Sequence, residues 1–330
     1  MKRFDLQTLG VTLFASLLVW MAAASVGLLV GSTGTIGAPT ADQMSIRLHT
    51  HVLPASMIGA ALAMAGVTYQ AILRNPLADP YLLGASGGAM LASYVWRLQG
   101  VASIAVIGAI SPHAFALAGS LLAITIVLLG AGWRGRLDPV TAILVGVVIN
   151  SLCGALFMLL NAIYRDLPGS GGILTFLVGD IQTTASSAHV AASAWMIGIG
   201  GVLLMLMTPY LNVVRLSEDE ARSLGVSVQR VRWGGLLVAS FVTAAAVAIS
   251  GPIGFIGLIC PHIARWFIGN DNRKLLPVAA ALGAGLLTLA DVLARYLLGS
   301  PHVATLIPVG VITACIGGPF LLLILARIKQ

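Results

Sequence analysis

Apolar runs of about twenty residues recur along the chain, separated by short polar, glycine-bearing or proline-bearing breaks. A helix of about twenty apolar residues spans the hydrocarbon core of a bilayer. Ten runs fit or approach that length, at 10–30, 52–72, 82–96, 113–133, 140–161, 190–208, 233–250, 253–268, 276–297 and 308–327. They predict an all-α fold, a polytopic membrane bundle of about ten transmembrane helices in which residues 1–330 form one domain. The first run follows Lys2 and Arg3. It is too long for a signal segment and lacks a small-residue cleavage site after it, so it reads as a retained span.

The third run, Leu82 to Trp96, reaches only about 22 Å at 1.5 Å per residue, against a core of about 30 Å. The eighth run is similarly short and contains Pro261. Short or interrupted segments are tolerated at membrane depth where protein buries their backbone. Glycines inside the runs (Gly84, Gly87 and Gly88; Gly283 and Gly285) predict close helix approach. The segment 166–184 reads as a longer loop in which Ile173–Val178 forms a short helix.

Composition agrees with the pattern. The chain has 330 residues, 58% hydrophobic and 9% charged, where a soluble domain carries about 25% charge. The formal charge of +7 does not point to nucleic acid, because no basic cluster interleaved with aromatics exists. The basic residues sit in the breaks and set topology. With ten spans, Arg47, Arg97, Arg165 and Arg295 fall on one side and the other fourteen of the 18 Lys and Arg on the opposite side. That asymmetry predicts both termini on the cytoplasmic side. Cys153, Cys260 and Cys315 lie far apart in apolar runs and read as small packing residues, with no metal or disulfide spacing.

One polar island interrupts the apolar pattern. It is Leu216-Ser217-Glu218-Asp219-Glu220-Ala221-Arg222-Ser223-Leu224-Gly225, on the Arg-rich side. Ser217 and Glu220 have the S-x-x-E spacing of a capping box. Glu218 and Asp219 occupy the first turn, where the helix dipole favours anions. Gly225 can supply a left-handed stop. A two-turn helix over 217–224 is predicted, standing as a knob for a soluble partner.

Two further stretches carry candidate chemistry. In Arg74-Asn75-Pro76-Leu77-Ala78-Asp79-Pro80, the two prolines forbid a continuous helix, and Asn75 and Asp79 can bond local backbone. This is a sharp turn between the second and third spans, either structural or a constriction at the inner mouth of a pathway. Asp291 and Arg295 stand four apart on the ninth span and share a face. They predict an intramembrane ion pair.

Other chemistries are excluded or unsupported. The chain has no G-x-x-x-x-G-K-[ST] phosphate loop, so it does not hydrolyse ATP in the Walker manner. No nucleophile stands beside a base, no carboxylate–histidine relay crosses a span, and the histidines lack ligand spacing; His49, His51 and His302 fall in outer loops. No cofactor or metal is expected. An ion-gradient-driven secondary transporter stays open as an alternative. It predicts inverted repeats and a midplane ion site, and no repeat is evident.

Several stretches together resemble the FecCD-type permeases, the membrane subunits of bacterial ABC importers for iron–siderophore, haem or cobalamin. They are Gly59–Ala63, Asn75–Pro80 with Leu83-Gly84, Leu224-Gly225-Val226, Gly251–Leu258 running into Pro261–Arg265, Leu275–Pro277, Ala290-Asp291 with Ala294-Arg295, and Pro308–Thr313. The order holds from about residue 45 to the C-terminus. The resemblance implies a ten-helix subunit paired with a copy of itself or a similar permease, two cytoplasmic ATPase subunits, and a periplasmic or lipid-anchored binding protein. It implies that Ser217, Glu218, Asp219, Glu220, Ala221, Arg222, Leu224 and Gly225 form the ATPase-coupling helix. It implies that Asn75, Pro76 and Leu77 belong to the cytoplasmic gate, and that Arg47, His51 and Arg295 face the binding protein.

Two motifs depart from the family pattern. The R-L-P-R sequence before the second span reads Arg47-Leu48-His49-Thr50-His51 here, and the glutamate of E-L-P-V-G is replaced by Leu306. Docking of the binding protein is therefore expected to be atypical.

Overall fold

The computed structural model describes residues 6–31, 36–98, 112–132, 139–164, 178–181, 187–216, 218–298 and 307–328. Helices account for nearly all of them, and the sole β feature among them is an isolated bridge between Val30 and Ile36. In chain order the helices are α1 (Leu6–Leu29), α2 (Ala41–Arg47), α3 (Leu53–Ile72), α4 (Ala85–Arg97), α5 (Pro112–Ala131), α6 (Pro139–Ile163) and α7 (Ser187–Val214). Then follow α8 (Glu218–Ser223), α9 (Val228–Ser250), α10 (Ile256–Ile268), α11 (Asn272–Leu298) and α12 (Val309–Ile328).

Each of the ten apolar runs holds one helix. Among the described residues, seven helices are long and apolar enough to cross a membrane. The second span is longer than its apolar run, because α2 continues through a π-helical turn (Leu48–Val52) into α3, giving 32 residues from Ala41 to Ile72. Its start is fixed by a capping box between Thr40 and Gln43, a T-x-x-Q signal present in the sequence. His49 and His51 therefore lie on helix, not in a loop. The expected helix at 173–178 falls outside the described residues except for Val178, which is helical.

The helices differ in what they face. The apolar window of α3 is 83% buried, whereas those of α1 and α6 are 11% and 17% buried. A bundle solvated by lipid leaves its outer helices apolar on the outside, since lipid tails and leucine are alike in polarity. The centre is built by close approach. A Cβ on Gly59 of α3 would stand 2.1 Å from the Gly283 carbonyl oxygen of α11, and one on Gly283 would stand 2.3 Å from the Gly59 oxygen. Cys153 and Cys260 are buried as expected, but Cys315 is exposed on α12.

The two short spans, α4 and α10, have 13 residues each. Both begin inside the bundle. The chain leaving α3 turns back and forms a 3₁₀ turn, Pro80–Leu83, before α4. The chain leaving α9 runs through Gly251–Phe255 before α10. These two irregular segments meet at the level of Leu62–Gly66 on α3. A Cβ on Gly257 would collide with Pro80 at 2.5 Å, and one on Gly66 with the Gly257 oxygen at 2.0 Å.

Candidate functional site

Backbone that leaves regular helix at this depth must find partners within the protein. Three polar side chains supply them. Asp79 accepts from the Tyr81 N–H at its Oδ1 (3.0 Å), capping the 3₁₀ turn, and from the Phe255 N–H at its Oδ2 (3.0 Å), 176 residues away. Gln70 of α3 donates from Nε2 to the oxygens of Ala78 (3.3 Å) and Gly257 (3.2 Å). Asn150 of α6 donates to the Tyr81 oxygen (2.7 Å) and accepts from the Gly87 N–H (3.0 Å), one of the orphan donors at the start of α4. Asp79 was legible in the sequence as a turn residue. Gln70 and Asn150 were not singled out, and their signal was a polar side chain inside an apolar span.

The predicted gate residues sit on this re-entrant turn. Asn75 Oδ1 accepts from the Leu77 N–H (2.9 Å), and Pro76 is exposed at the end of the bundle. Arg74 precedes them in a left-handed conformation (φ 48°). That backbone aims its guanidinium away from α3 toward the end of α7. Nε and Nη2 donate to the Val214 oxygen (3.2 and 2.7 Å), and Nη2 also donates to the Leu216 oxygen.

Leu216 leads directly into the polar island. The helix there is α8, six residues long. Ser217 lies outside the described residues, so the capping box at this position does too. The C-terminal stop is formed by Gly225 at φ 73°. The Val226 N–H returns to the Ala221 oxygen (3.0 Å), the six-to-one bond of a Schellman closure. One face of α8 is anchored, with Ala221 fully buried against Val214 and Val228. Glu220 and Leu224 are exposed. The gate turn, the end of α7 and α8 thus lie at one end of the bundle, and the Arg74 side chain joins them.

The opposite end carries the other predicted residues. Arg295 donates to Asp291 (2.9 Å) and to the carbonyl oxygens of Gly27 and Val30 at the end of α1. His51 Nδ1 stands 3.7 Å from the other Asp291 oxygen. Arg295 is 0% and His51 6% exposed. In the single chain the Arg295 guanidinium is spent on a carboxylate and two carbonyls, so of the residues expected at the docking face it is the least accessible. Arg47 is half-buried and donates to the Leu28 oxygen (2.6 Å). The His51–Asp291 contact is a carboxylate–histidine pair that the sequence did not anticipate. It ends on Arg295; His113 and His189 stack on each other elsewhere, with centroids 4.1 Å apart, and His302 lies outside the described residues. No group of three or more His, Cys, Asp or Glu arranged for a metal occurs among the described residues.

A bundle of about ten apolar helices with two spans broken at one level, and a polar helix at one end, has the architecture of a polytopic membrane protein. The family follows from comparison: residues 8–327 match the FecCD transport family, and the chain belongs to it. It is 36% identical over 328 residues to the hemin transport system permease protein HmuU of Yersinia pestis, covering 98% of this chain and 96% of the relative. It is 38% identical over 295 residues to the cobalamin import system permease protein BtuC of Halobacterium salinarum, covering 88% and 75%. The fold is similar to a solved ABC transporter assigned to the metal-chelate type, in an inward-facing conformation. The TM-score there is 0.81, with 27% identity and coverage of 97% of this chain and 99% of the other.

Proposed function

We propose that this chain is the membrane permease of an ATP-driven importer for a metal chelate, in the class of iron–siderophore, haem or cobalamin. Two ATPase subunits would bind at the end that carries α8, which faces the cytoplasm together with both termini. A substrate-binding protein would dock at the opposite face, which carries Arg47, His51 and Arg295, with Arg47 the most accessible of the three. A second permease, identical or similar, would complete the pathway. The setting is a bacterial inner membrane.

One observation carries the reading: Arg74 ties the gate turn to the backbone that feeds α8. A movement imposed on α8 by an ATPase would be transmitted to Asn75, Pro76 and Leu77 through the carbonyls of Val214 and Leu216. A population shift of the gate needs contacts that differ between its states, and this connection would be one of them. Glu218, Asp219 and Glu220 would supply the polar surface of the coupling helix, with exposed Leu224 beside them.

The test is replacement of Glu218, Asp219 and Glu220 together by neutral residues, with uptake measured in proteoliposomes containing the ATPase and the binding protein. ATP-driven uptake should fall to background while membrane insertion is unchanged. Undiminished uptake overturns the coupling assignment. Binding of candidate chelates to the cognate binding protein then separates siderophore, haem and cobalamin.

A further inference from the structure

Between the ends of α3, α7 and α10 and the start of α11, at the end of the bundle that carries α8, lies a cavity of about 350 Å³. Arg74, Arg215 and Arg265 all line it, and no carboxylate does among the described residues. Asp271, between the lining residues Asn270 and Asn272, accepts at Oδ1 from Asn212 Nδ2 (2.6 Å) and the Arg273 N–H (3.1 Å). Two of the three guanidinium groups are held in place. Arg74 is fixed by Val214 and Leu216, and Arg215 donates to the Asn270 oxygen (2.8 Å). These bonds fix position, and the carbonyl oxygens that make them bring no countercharge.

The walls also hold donors without acceptors. Arg265 Nη1 is buried and makes no hydrogen bond, and neither does Nδ2 of Asn272, a residue 1% exposed. Buried donors of this kind cost free energy unless an acceptor meets them. Gln70 Oε1, on the same wall, is a buried acceptor without a donor. His262 is held through Nδ1 at the Leu258 oxygen (3.0 Å), which leaves its Nε2 for another partner.

We propose that this cavity binds a phosphate-type oxyanion. Such a group accepts several N–H donors at once and brings the negative charge that water or a carbonyl cannot. Guanidinium groups match phosphate oxygens geometrically. A singly protonated phosphate or a bound water would also satisfy Gln70 Oε1. The volume admits one phosphate group with several waters, at about 30 Å³ each. The oxyanion can be free phosphate or a lipid headgroup, because basic pockets between transmembrane helices on this side of a membrane hold anionic headgroups. Exposed Trp266 and Phe267 follow Arg265 on α10. Bound there, the anion bridges the gate turn through Arg74, the lead into α8 through Arg215, and α10 through Arg265. Occupancy resists their separation.

The experiment uses the full chain in phosphatidylcholine nanodiscs. Thermal unfolding is followed against inorganic phosphate, with chloride at equal ionic strength as reference. In a second arm, native mass spectrometry counts phosphatidylglycerol retained by the chain. A saturable phosphate effect assigns a free ion, and a single retained phosphatidylglycerol that displaces phosphate assigns a lipid. In either case R265Q and N272A should weaken binding about tenfold, and R265K should weaken it less because it keeps the charge. R215Q gives an independent check if R265Q does not fold. The proposal is overturned by the absence of a saturable effect in both arms, or by binding that R265Q, R215Q and N272A leave unchanged. It is also overturned if these variants alter only affinity for the ATPase subunit, which would make the cavity a seat for a partner carboxylate.

Discussion

Arg74 holds the carbonyl oxygen of Val214 with two N–H groups, at 3.2 and 2.7 Å, across 140 residues of chain. The connection depends on a left-handed backbone at Arg74 and on a forked donor. Lysine carries the charge but offers a point ammonium in place of the fork. Because the side chain is exposed, solvent screens the bond, and its loss is set at about 1 kcal/mol. R74K and R74A should therefore express and insert normally. Their ATP-driven uptake should fall about fivefold while ATP hydrolysis by the assembled transporter continues, measured in the same proteoliposomes. Equal losses of uptake and hydrolysis would place Arg74 in assembly and not in transmission.

The crossing of α3 and α11 is set by Gly59 and Gly283, each of which leaves no room for a Cβ against the other's carbonyl oxygen. The obstacle is backbone and cannot rotate aside. G59A or G283A should force the helices apart and destabilise the bundle by about 1–3 kcal/mol, the usual cost of overpacking. G198A on α7, where nothing stands within 4 Å, should be nearly neutral. Denaturant unfolding in mixed micelles, followed by tryptophan fluorescence, compares the three. Stability of G59A equal to that of G198A would contradict the crossing.

Asp291 and Arg295 are both buried, and their hydrogen bond of 2.9 Å is joined by the carbonyls of α1. Removing one partner leaves an uncompensated charge, a loss of about 3–5 kcal/mol. Removing both exchanges the ions for neutral groups and costs less. D291N and R295Q alone should each lower folded yield sharply, and the D291N/R295Q double variant should recover part of it. A double-mutant cycle of unfolding free energies measures the coupling. Additive losses would show that the two act independently.

The sequence carried the helix on each apolar run, the two weak spans and the polar helix at 218–223, because each rests on local signals: run length, proline and glycine breaks, and the left-handed stop at Gly225. It did not carry the reason the third and eighth spans are short. That reason is tertiary, the meeting of Asp79 and Phe255 inside the bundle. Nor did it separate the two sides of an arginine. Arg47 and Arg295 fall in the same topological class by charge counting, yet one is half-buried at the surface of α2 and the other is wholly enclosed. Burial depends on which helix faces α11, and periodicity in a bundle apolar on nearly all sides does not report it.

The junction of the two broken spans makes the last prediction. Asp79 accepts from both irregular segments, through Tyr81 and Phe255. Asparagine at this position keeps one carbonyl acceptor and places an NH₂ group against the second backbone donor, where two donors face each other. A buried donor left without its acceptor costs about 1–3 kcal/mol. Since α4 and α10 both begin here, the loss should loosen the re-entrant turn more than it unfolds the bundle. D79N should therefore keep most of its folded yield but admit small polar solutes across proteoliposomes without ATP. D79E, which retains both oxygens on a longer stem, should leak less. N150A, which frees the Gly87 N–H and the Tyr81 oxygen at the same junction, should resemble D79N. Tight vesicles containing D79N, with uptake at the unsubstituted level, would show that the Asp79 bonds to Tyr81 and Phe255 do not keep the turn closed.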